Sequence, residues 1–301
     1  MRAITSRRVI VTSVLVDVSD LLLNLLVAML SGSAVMFSQA IQGAADLVTS
    51  GLLLIGLQRS RQRADQEHDF GYGRELYFWI LMAGITMFVV TAVSSVIIGW
   101  RRLLTPQPID NLWLASLTLL IGVGTNFYAF WLSWRRLRRS NKNESVFKVF
   151  ISSNLIETKS TLTLDLMGAL ASILGLAAYT IFYLTGDLRF DGLGAIVIGL
   201  ATGLAALFLM NDVKDFLVGR SMPPELELAA RAAALSVAGV EAVLSLKSMY
   251  FGSEELFVNL DLHVARGRTT ETIEHLIEEV KMRVKHQVPA IRHLQIELNR
   301  A

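Results

Sequence analysis

Two aspartates lie inside two separate apolar stretches of this sequence, and each follows a polar residue by four positions. Gln42 precedes Asp46, and Thr161 precedes Asp165. A spacing of four places both members of a pair on one face of a helix, a single turn apart. An ionised carboxylate in hydrocarbon costs roughly 3 kcal/mol on insertion scales, so such residues usually face a cavity and handle ions or protons. Because two carboxylates on two helices can converge on one cation, the pattern predicts a carrier.

A third group of polar side chains lies in the first apolar stretch. Asp17, Asp20 and Asn24 follow spacings of three and four and share one helical face. One interpretation adds the two acids to the ion path or to a proton relay beside Asp46, with Asp20 the better candidate because it lies one turn deeper. The other places Asp17 in water near the cytoplasmic end and pairs Asp20 with a neighbouring helix.

The elements that must position these residues are long apolar helices. Of the 301 residues, 53% are hydrophobic, and the mean hydropathy of +0.49 is too high for an ordinary soluble protein. Runs of about 20 apolar residues cross a bilayer as helices. The first run is too long for a cleavable signal peptide and leads directly into another span. Six such runs occur, at about 9–30, 34–57, 76–99, 112–134, 162–184 and 190–210.

Basic residues predict the orientation of these spans. Three positions lie on one side of the predicted spans: Arg101, Arg102 and Arg189. The other side holds Arg7, Arg8, Arg59, Arg61, Arg63, Arg74, Arg135, Arg136, Arg138, Arg139, Lys142 and Lys148. Both termini are therefore predicted to be cytoplasmic. The chain has no cysteine, which excludes disulfides and thiolate metal sites, and we expect an integral protein of a bacterial inner membrane.

A different pattern follows residue 210. A Pro-Pro pair at 223–224 marks a break, after which apolar residues recur with helical and then alternating spacing. Thr270 is the predicted cap of the second helix. The predicted elements are a helix at 224–237, strands at 242–250 and 255–264, a helix at 269–286 and a strand at 292–299. The predicted fold is an α-helical membrane protein, with six transmembrane helices in residues 1–210 and a cytoplasmic αββαβ domain of the ferredoxin-like α+β type in residues 211–301.

Taken together, these features resemble the cation diffusion facilitator family. The stretch from His68 to Trp79 (His-Asp-Phe-Gly-Tyr-Gly-Arg-Glu-Leu-Tyr-Phe-Trp) is similar to the signature of that family before span three. The segments 31–34 (Ser-Gly-Ser-Ala) and 190–199 (Phe-Asp-Gly-Leu-Gly-Ala-Ile-Val-Ile-Gly) are similar to those before span two and in span six. The resemblance covers almost the whole chain. It implies a homodimer that exports a divalent metal cation against protons by alternating access.

The resemblance also implies a tetrahedral transport site at Gln42, Asp46, Thr161 and Asp165. In the family, the first position of each pair is usually His or Asp, so Gln42 and Thr161 depart from the pattern. Imidazole favours zinc, whereas carboxylate, carbonyl and water oxygens favour harder cations. We therefore expect Mn²⁺ or Fe²⁺ as the substrate, with Zn²⁺ as an alternative and no organic cofactor. The competing interpretation is that Asp46 and Asp165 only form hydrogen bonds between helices.

Two further metal sites are implied outside the spans. In the loop at 58–75, Asp65 and His68 match two ligand positions of the family, but Tyr72 stands where a third ligand, His, is expected. The alternative is that this loop is structural. In the terminal domain, Asp261, His275 and Glu297 lie at or near the family's ligand positions, close to a dimer interface. The alternative there is a solvated surface without metal.

Several function classes compete with an exporter. A family member with a degraded site would act as a metal sensor or as a partner subunit without transport. An enzyme is not expected, because the sequence has no Gly-x-Ser-x-Gly, no His-Glu-x-x-His and no P-loop. A channel would show flux that does not saturate. Nucleic acid is not an expected partner, since the basic cluster at 135–142 has no interleaved aromatic residues and fits a topology determinant with lipid contact.

Overall fold

The computed structural model describes residues 6–140, 156–253 and 255–299. Lys142 and Lys148, two of the basic residues that predict the orientation, lie outside these residues. Among these residues, six long helices precede the terminal domain, and the predicted runs are confirmed as helices whose ends extend by several residues. These helices are α1 (Ser6–Ser31), α2 (Ala34–Arg59), α3 (Glu75–Leu104), α4 (Leu112–Ser140), α5 (Ile156–Thr185) and α6 (Arg189–Val218).

Five of these helices are long and apolar enough to cross a membrane. They are α2, α3, α4, α5 and α6, while α1 falls outside this group among the described residues. Helix α1 carries Asp17 and Asp20, which lower its hydropathy. It nevertheless packs against α2, α4 and α5. That α1 is a sixth span therefore stays a prediction, supported by its place in the helix bundle.

Helices α1, α2, α4 and α5 form a bundle with a compact apolar core. Completely or almost completely buried side chains come from all four helices and include Val27, Val35, Leu119 and Ala171. Gly175 of α5 brings the backbone within reach of Val35 and Leu119, where a Cβ atom would lie 2.9–3.0 Å from their methyl groups. Close packing of this kind fixes which face of each helix points inward.

Helices α3 and α6 approach each other through glycine. A Cβ atom on Gly99 would lie 2.5 Å from the carbonyl oxygen of Gly192, and one on Gly199 would lie 2.8 Å from that of Ala92. Small residues at these positions allow the two backbones to touch, as is common between membrane helices. Within α3, residues Met87–Val93 form a π-helical segment, which places an irregular turn in the middle of this helix pair.

A buried aspartate caps the first turn of α2. Asp191 of α6 accepts hydrogen bonds from Ser33 Oγ at 2.5 Å, from the backbone N–H of Ala34 at 2.7 Å and from that of Val35 at 3.1 Å. Arg102 Nε of α3 donates to the same carboxylate at 3.0 Å. Arg102 is buried, and its charge is compensated by Asp191. We call this cluster the Asp191 cap.

The terminal domain has the predicted αββαβ order. It comprises α7 (Pro224–Leu235), β1 (Val240–Tyr250), β2 (Leu256–Val264), α8 (Thr270–Gln287) and β3 (Ile291–Leu298). The sheet order is β1-β2-β3, with β1 and β2 antiparallel and β2 and β3 parallel. The cap of α8 was predicted one residue too late: the side chain of Thr269 accepts from Thr272 N. A hydroxyl there satisfies an N–H group that the first turn leaves open.

The chain divides into two compact units. One contains the described residues up to Arg59 together with Glu75–Lys214, and the other contains Ser60–Arg74 together with the residues from Asp215 onward. The second unit thus begins a few residues after the predicted boundary at 210, and it includes the loop between α2 and α3.

The loop packs on the terminal domain through an aromatic side chain. The ring of Phe70 lies 5.2 Å from that of Phe251, 6.0 Å from that of Phe257 and 5.3 Å from that of His293, measured between centroids. A Cβ atom on Gly73 would meet the carbonyl oxygen of Phe251 at 2.4 Å, so only glycine fits there. The loop is therefore a built part of this unit.

Candidate metal centre

Helix α2 supplies half of the predicted transport site. Gln42 is 3% exposed, and its side chain forms a hydrogen bond with Asp46 one turn later. Since a carboxylate can only accept, the amide N–H of Gln42 is the donor. Within the described residues, Gln42 Oε1 has no hydrogen-bond partner. Asp46 is half-buried.

Helix α5 supplies the other half. Thr161 and Asp165 are buried, with Asp165 4% exposed. The charge of Asp165 acts on that of Asp46, so the two carboxylates predicted to converge do lie within electrostatic reach. The structure therefore brings the two helical pairs to one region, and their joint role as a metal site stays a proposal.

The two acids of α1 also face the bundle. Asp17 Oδ2 accepts from Ser50 Oγ of α2 at 2.6 Å. Asp20 accepts from Asn126 Nδ2 of α4 at 2.6 Å and from Thr125 Oγ1 at 3.1 Å. Asp17 is buried like Asp20, so the interpretation that left it in water is wrong. Both acids form hydrogen bonds with neighbouring helices, which the second interpretation predicted for Asp20. Both also lie within electrostatic reach of Asp46.

Several carboxyl groups lie within electrostatic reach of Asp46 in this bundle. Asp46 is acted on by three carboxylates, those of Asp17, Asp165 and Asp20. The two buried basic side chains among the described residues pair elsewhere: Arg102 with Asp191, and Lys159 Nζ with Asp212 Oδ2 at 2.8 Å. Isolated carboxylates in a low-dielectric interior are costly unless they are paired, protonated or bound to a cation. The arrangement is therefore suited to a cation.

The donor set consists of oxygen atoms. Carboxylate, amide and hydroxyl oxygens are the ligands that harder divalent ions prefer. All five histidines lie at positions 68, 263, 275, 286 and 293, which belong to the other unit. No imidazole from this unit is available to complete the site.

Sequence reasoning missed two buried ion pairs in this unit. Lys159 is 2% exposed and pairs with Asp212 of α6, and Arg102 pairs with Asp191. The available signal was charge at unusual depth, because Lys159 and Asp191 stand at the ends of long apolar runs. Their partners lie on other helices, which a single sequence does not reveal.

The predicted loop site brings its two ligands together. His68 Nδ1 lies 3.7 Å from Asp65 Oδ1. The oxygens of Asp65 already accept from the backbone N–H groups of Glu67 and His68 and from the hydroxyl of Tyr72 at 2.7 Å. These hydrogen bonds, with that of Tyr72 the strongest influence, lower the pKa of Asp65 below its ordinary value. The Tyr72 hydroxyl thus occupies an oxygen of Asp65 that a metal ion would otherwise bind.

The predicted site of the terminal domain is divided between two faces of the sheet. Asp261 and Glu297 are paired in register on β2 and β3 and therefore point to the same face. The alternate residues of β2, such as Leu260 and Leu262, are completely buried on the other face. His275 is exposed on α8, the helix whose buried side packs on β3 and α7. The structure thus brings together Asp261 and Glu297 without His275.

The open face of the sheet keeps unpartnered acceptors beside this pair. Asn259 Nδ2 donates to Glu297 Oε1 at 3.0 Å. Within the described residues, Asp261 Oδ1 and Asn259 Oδ1 are buried atoms without a hydrogen-bond partner. Nowhere among the described residues, in this domain or in the helical unit, is a group of three or more His, Cys, Asp or Glu side chains close enough to hold a metal ion. Metal binding by this domain stays a prediction.

Comparison with known proteins places the helical unit in a transporter context. The model of the cation efflux transmembrane domain matches residues 10–218. The human mitochondrial proton-coupled zinc antiporter SLC30A9 is 29% identical over 221 residues, which are 72% of this chain and 39% of that protein. This chain thus covers well under half of the length of that relative.

Other similar proteins come from plants and bacteria. Metal tolerance protein C4 of Arabidopsis thaliana is 27% identical over 198 residues, which are 64% of this chain and 42% of that protein. Magnetosome protein MamB of Paramagnetospirillum magneticum is 22% identical over 287 residues, which are 93% of this chain and 89% of that protein. A nickel form of the MamM C-terminal domain is 23% identical, with a TM-score of 0.25, over 26% of this chain and 99% of the solved one.

Proposed function

We propose that this chain, which belongs to the cation efflux family, exports a divalent metal cation from the cytoplasm in exchange for protons. The cation would bind between α2 and α5, with Asp46 and Asp165 supplying charge and Gln42 and Thr161 supplying neutral oxygens. Transport would proceed by alternating access in a homodimer. A relative that is named a proton-coupled zinc antiporter supports this reaction class.

One observation supports the site above the others. Gln42 donates its amide N–H to Asp46 while its buried Oε1 has no partner among the described residues. A buried acceptor without a partner costs about 1–3 kcal/mol, and a cation held by Asp46 would remove that penalty. On this proposal the pair would serve as ligands rather than as a packing contact.

The oxygen donor set favours Mn²⁺ or Fe²⁺, with Zn²⁺ as an alternative. Two carboxylates and two neutral oxygens would leave waters on the ion, as hard cations tolerate. Because the curated relatives include proteins named as zinc antiporters, zinc must be included in every test of selectivity.

Protons would move through the same polar centre. Four carboxylates exceed the two charges of a divalent ion, so the balance must come from protons or from further cations. We assign Asp17 and Asp20 to this balance, as the ion path or proton relay beside Asp46.

Flux measurements on proteoliposomes test the proposal. The purified full chain, reconstituted with a pH gradient, should move Mn²⁺ or Fe²⁺ in a saturable way. Asp46→Ala and Asp165→Ala should each abolish this flux, because each removes a charged ligand. Asp110→Ala is the matched control, since Asp110 is exposed between α3 and α4 and should transport normally. Normal flux in both site variants would refute the assignment.

A second candidate is a metal sensor or partner subunit. The neutral residues at Gln42 and Thr161, where the family usually has His or Asp, favour it. Such a protein would bind Mn²⁺ at equilibrium, lose that binding in Asp46→Ala and show no flux in the wild type. Binding and flux measured on one preparation therefore separate the two functions.

A further inference from the structure

Helix α2 presents a polar stripe that is longer than the proposed site. Six polar side chains fall within about one third of the helix circumference, at 100° per residue, and extend over roughly 18 Å. They are Ser38, Gln39, Gln42, Asp46, Thr49 and Ser50. All except Asp46 are buried. The hydrocarbon core is about 30 Å thick, so this stripe follows much of the path across it.

Two amides in this stripe each have one atom without a hydrogen-bond partner among the described residues. Gln42 Oε1 and Gln39 Nε2 are both buried, and neither atom has a partner within the described part of the chain. The same holds for the hydroxyls of Ser38 and Thr49. Hydroxyls can turn onto carbonyls of their own helix, so the amides carry the argument. A helix face packed only against protein would not leave two amides incomplete.

Gln39 faces a hydroxyl on α5. Ser172 Oγ approaches Gln39 Oε1 at 3.5 Å and lies closer, at 3.1 Å, to the carbonyl oxygen of its own Gly168. Gln39 precedes Asp46 by seven residues, and Ser172 follows Asp165 by seven. Seven residues are two turns, or about 10 Å. Gln39 and Ser172 therefore form a second facing pair on the same two helices, beyond the carboxylates and toward the Ala34 end of α2.

We propose that Gln39 and Ser172 form a second, neutral station for a partly hydrated divalent cation. This inference rests on the proposed function, because the ion would arrive from Asp46 and Asp165. Gln39 Oε1 and Ser172 Oγ can ligate the ion or accept hydrogen bonds from its waters, and Gln39 Nε2 can donate to a second-shell water. The station has no charge of its own.

The missing charge gives the station its role. Conduction requires a site that is favourable enough to enter and weak enough to leave. Two carboxylates hold the ion strongly, whereas an amide and a hydroxyl hold it weakly. A decrease in charge along α2 therefore favours stepwise release toward the Ala34 end.

The competing explanation is packing between helices. A hydrogen bond between membrane helices stabilises them modestly, but this one is long and leaves Gln39 Nε2 without a partner among the described residues. If Gln39 served only packing, removing its polarity would weaken the fold. If it serves the ion, leucine of similar size should leave the fold intact and impair transport.

Two substitutions at Gln39 separate these explanations, with Mn²⁺ as the probe and the full chain as the protein. Gln39→Leu should lower Mn²⁺ flux by at least about tenfold, leave equilibrium Mn²⁺ binding within about threefold and leave Tm unchanged or higher. Gln39→Glu should convert the station into a stable site and raise the Mn²⁺ bound at equilibrium from one to two ions per chain. Thr118→Val is the control, because the Thr118 hydroxyl is satisfied by Leu114 O at 2.9 Å outside the stripe, and it should behave as wild type.

The outcomes distinguish this inference from the proposed function. Normal flux in Gln39→Leu with one ion in Gln39→Glu would overturn the station while leaving an active wild-type exporter. A large fall in Tm in Gln39→Leu, with binding lost in parallel, would assign Gln39 to packing and also overturn it. If the wild type moves no metal, the proposed function fails, and a single ion in Gln39→Glu then rejects the station independently of flux.

Discussion

Two carboxylates of the helical unit, Asp191 on α6 and Asp46 on α2, differ in how completely they are satisfied. Asp191 accepts from a hydroxyl, two backbone N–H groups and the guanidinium of Arg102. Asp46 has the amide of Gln42 as its hydrogen-bond donor and faces three other carboxylates. Depth in the bundle therefore does not separate a structural acid from a functional one. The completeness of the surrounding hydrogen bonds and charges does.

The difference also bears on which carboxylate would be able to change partners. Breaking the Asp191 cap would leave Arg102 buried without its counter-charge, which costs several kcal/mol. Around Asp46, the cation of our proposal would complete ligands that are incomplete without it. The first arrangement is suited to hold α2 in place, and the second is suited to bind and release.

Neutralising both acids in the same manner tests the difference between Asp46 and Asp191 most directly. Asp46→Asn keeps size and hydrogen bonding but removes a ligand charge, so we expect Mn²⁺ flux to fall by at least about 100-fold while the protein stays folded. Flux and gel filtration on the same sample check this. Retained flux would contradict the role of Asp46.

Asp191→Asn should act on the fold instead. We expect a loss of about 3–5 kcal/mol, because the Arg102 charge loses its partner, seen as a lower Tm in detergent and a lower yield. The double variant Asp191→Asn with Arg102→Met should recover part of that loss, since it removes the buried charge. If Asp191→Asn folded normally and lost only flux, the structural role of Asp191 would be contradicted.

Gln42→His should shift the metal preference of the proposed site at Asp46. Imidazole favours zinc over manganese, and we expect the ratio of Zn²⁺ to Mn²⁺ affinity to rise about tenfold, or 1.4 kcal/mol. Competition binding with the two ions measures the ratio. Asp110→His, in the exposed segment between α3 and α4, is the control and should leave the ratio unchanged.

Asp20 lies between the two extremes, because its donors are the neutral groups of Asn126 and Thr125. We expect Asp20→Asn to lower proton-driven flux about fivefold, near 1 kcal/mol, with little change in Mn²⁺ binding. Flux at several pH gradients checks this. An unchanged dependence on the gradient would remove Asp20 from the proton relay.

The smallest effect concerns Asp65 in the loop. Its pKa is lowered by the hydroxyl of Tyr72 and by backbone N–H groups, so its contribution to loop order is present above the pKa of the unfolded chain and is lost as pH falls through the lower folded value. We expect the loop to keep its order at neutral pH and to lose it only under acid conditions. Hydrogen exchange of the N–H of His68 measures this, and Tyr72→Phe should move the transition to higher pH.

The helices were predictable because apolar periodicity and length require only local information, and the pairs Gln42–Asp46 and Thr161–Asp165 follow from a spacing of four. The Asp191 cap was not, since it joins residues that are 89 positions apart on different helices. The family resemblance grouped Asp261 with His275. The structure places them apart, because alternation along β2 directs Asp261 to the open face of the sheet whereas His275 lies on α8. The unpartnered oxygen of Gln42 is a property of packing, which no sequence pattern displays.

The Asp191 cap holds one end of α2, so a tilt of this helix would pivot about the capped end. Asp46 lies twelve residues from Ala34, or about 18 Å along the helix, and Arg59 lies about 37 Å away. A tilt of about 10° around the capped end would move Asp46 by roughly 3 Å and the far end by twice that distance. Metal–oxygen bonds are about 2.0–2.6 Å long, so a rotation this small is enough to break coordination while the pivot keeps all of its hydrogen bonds.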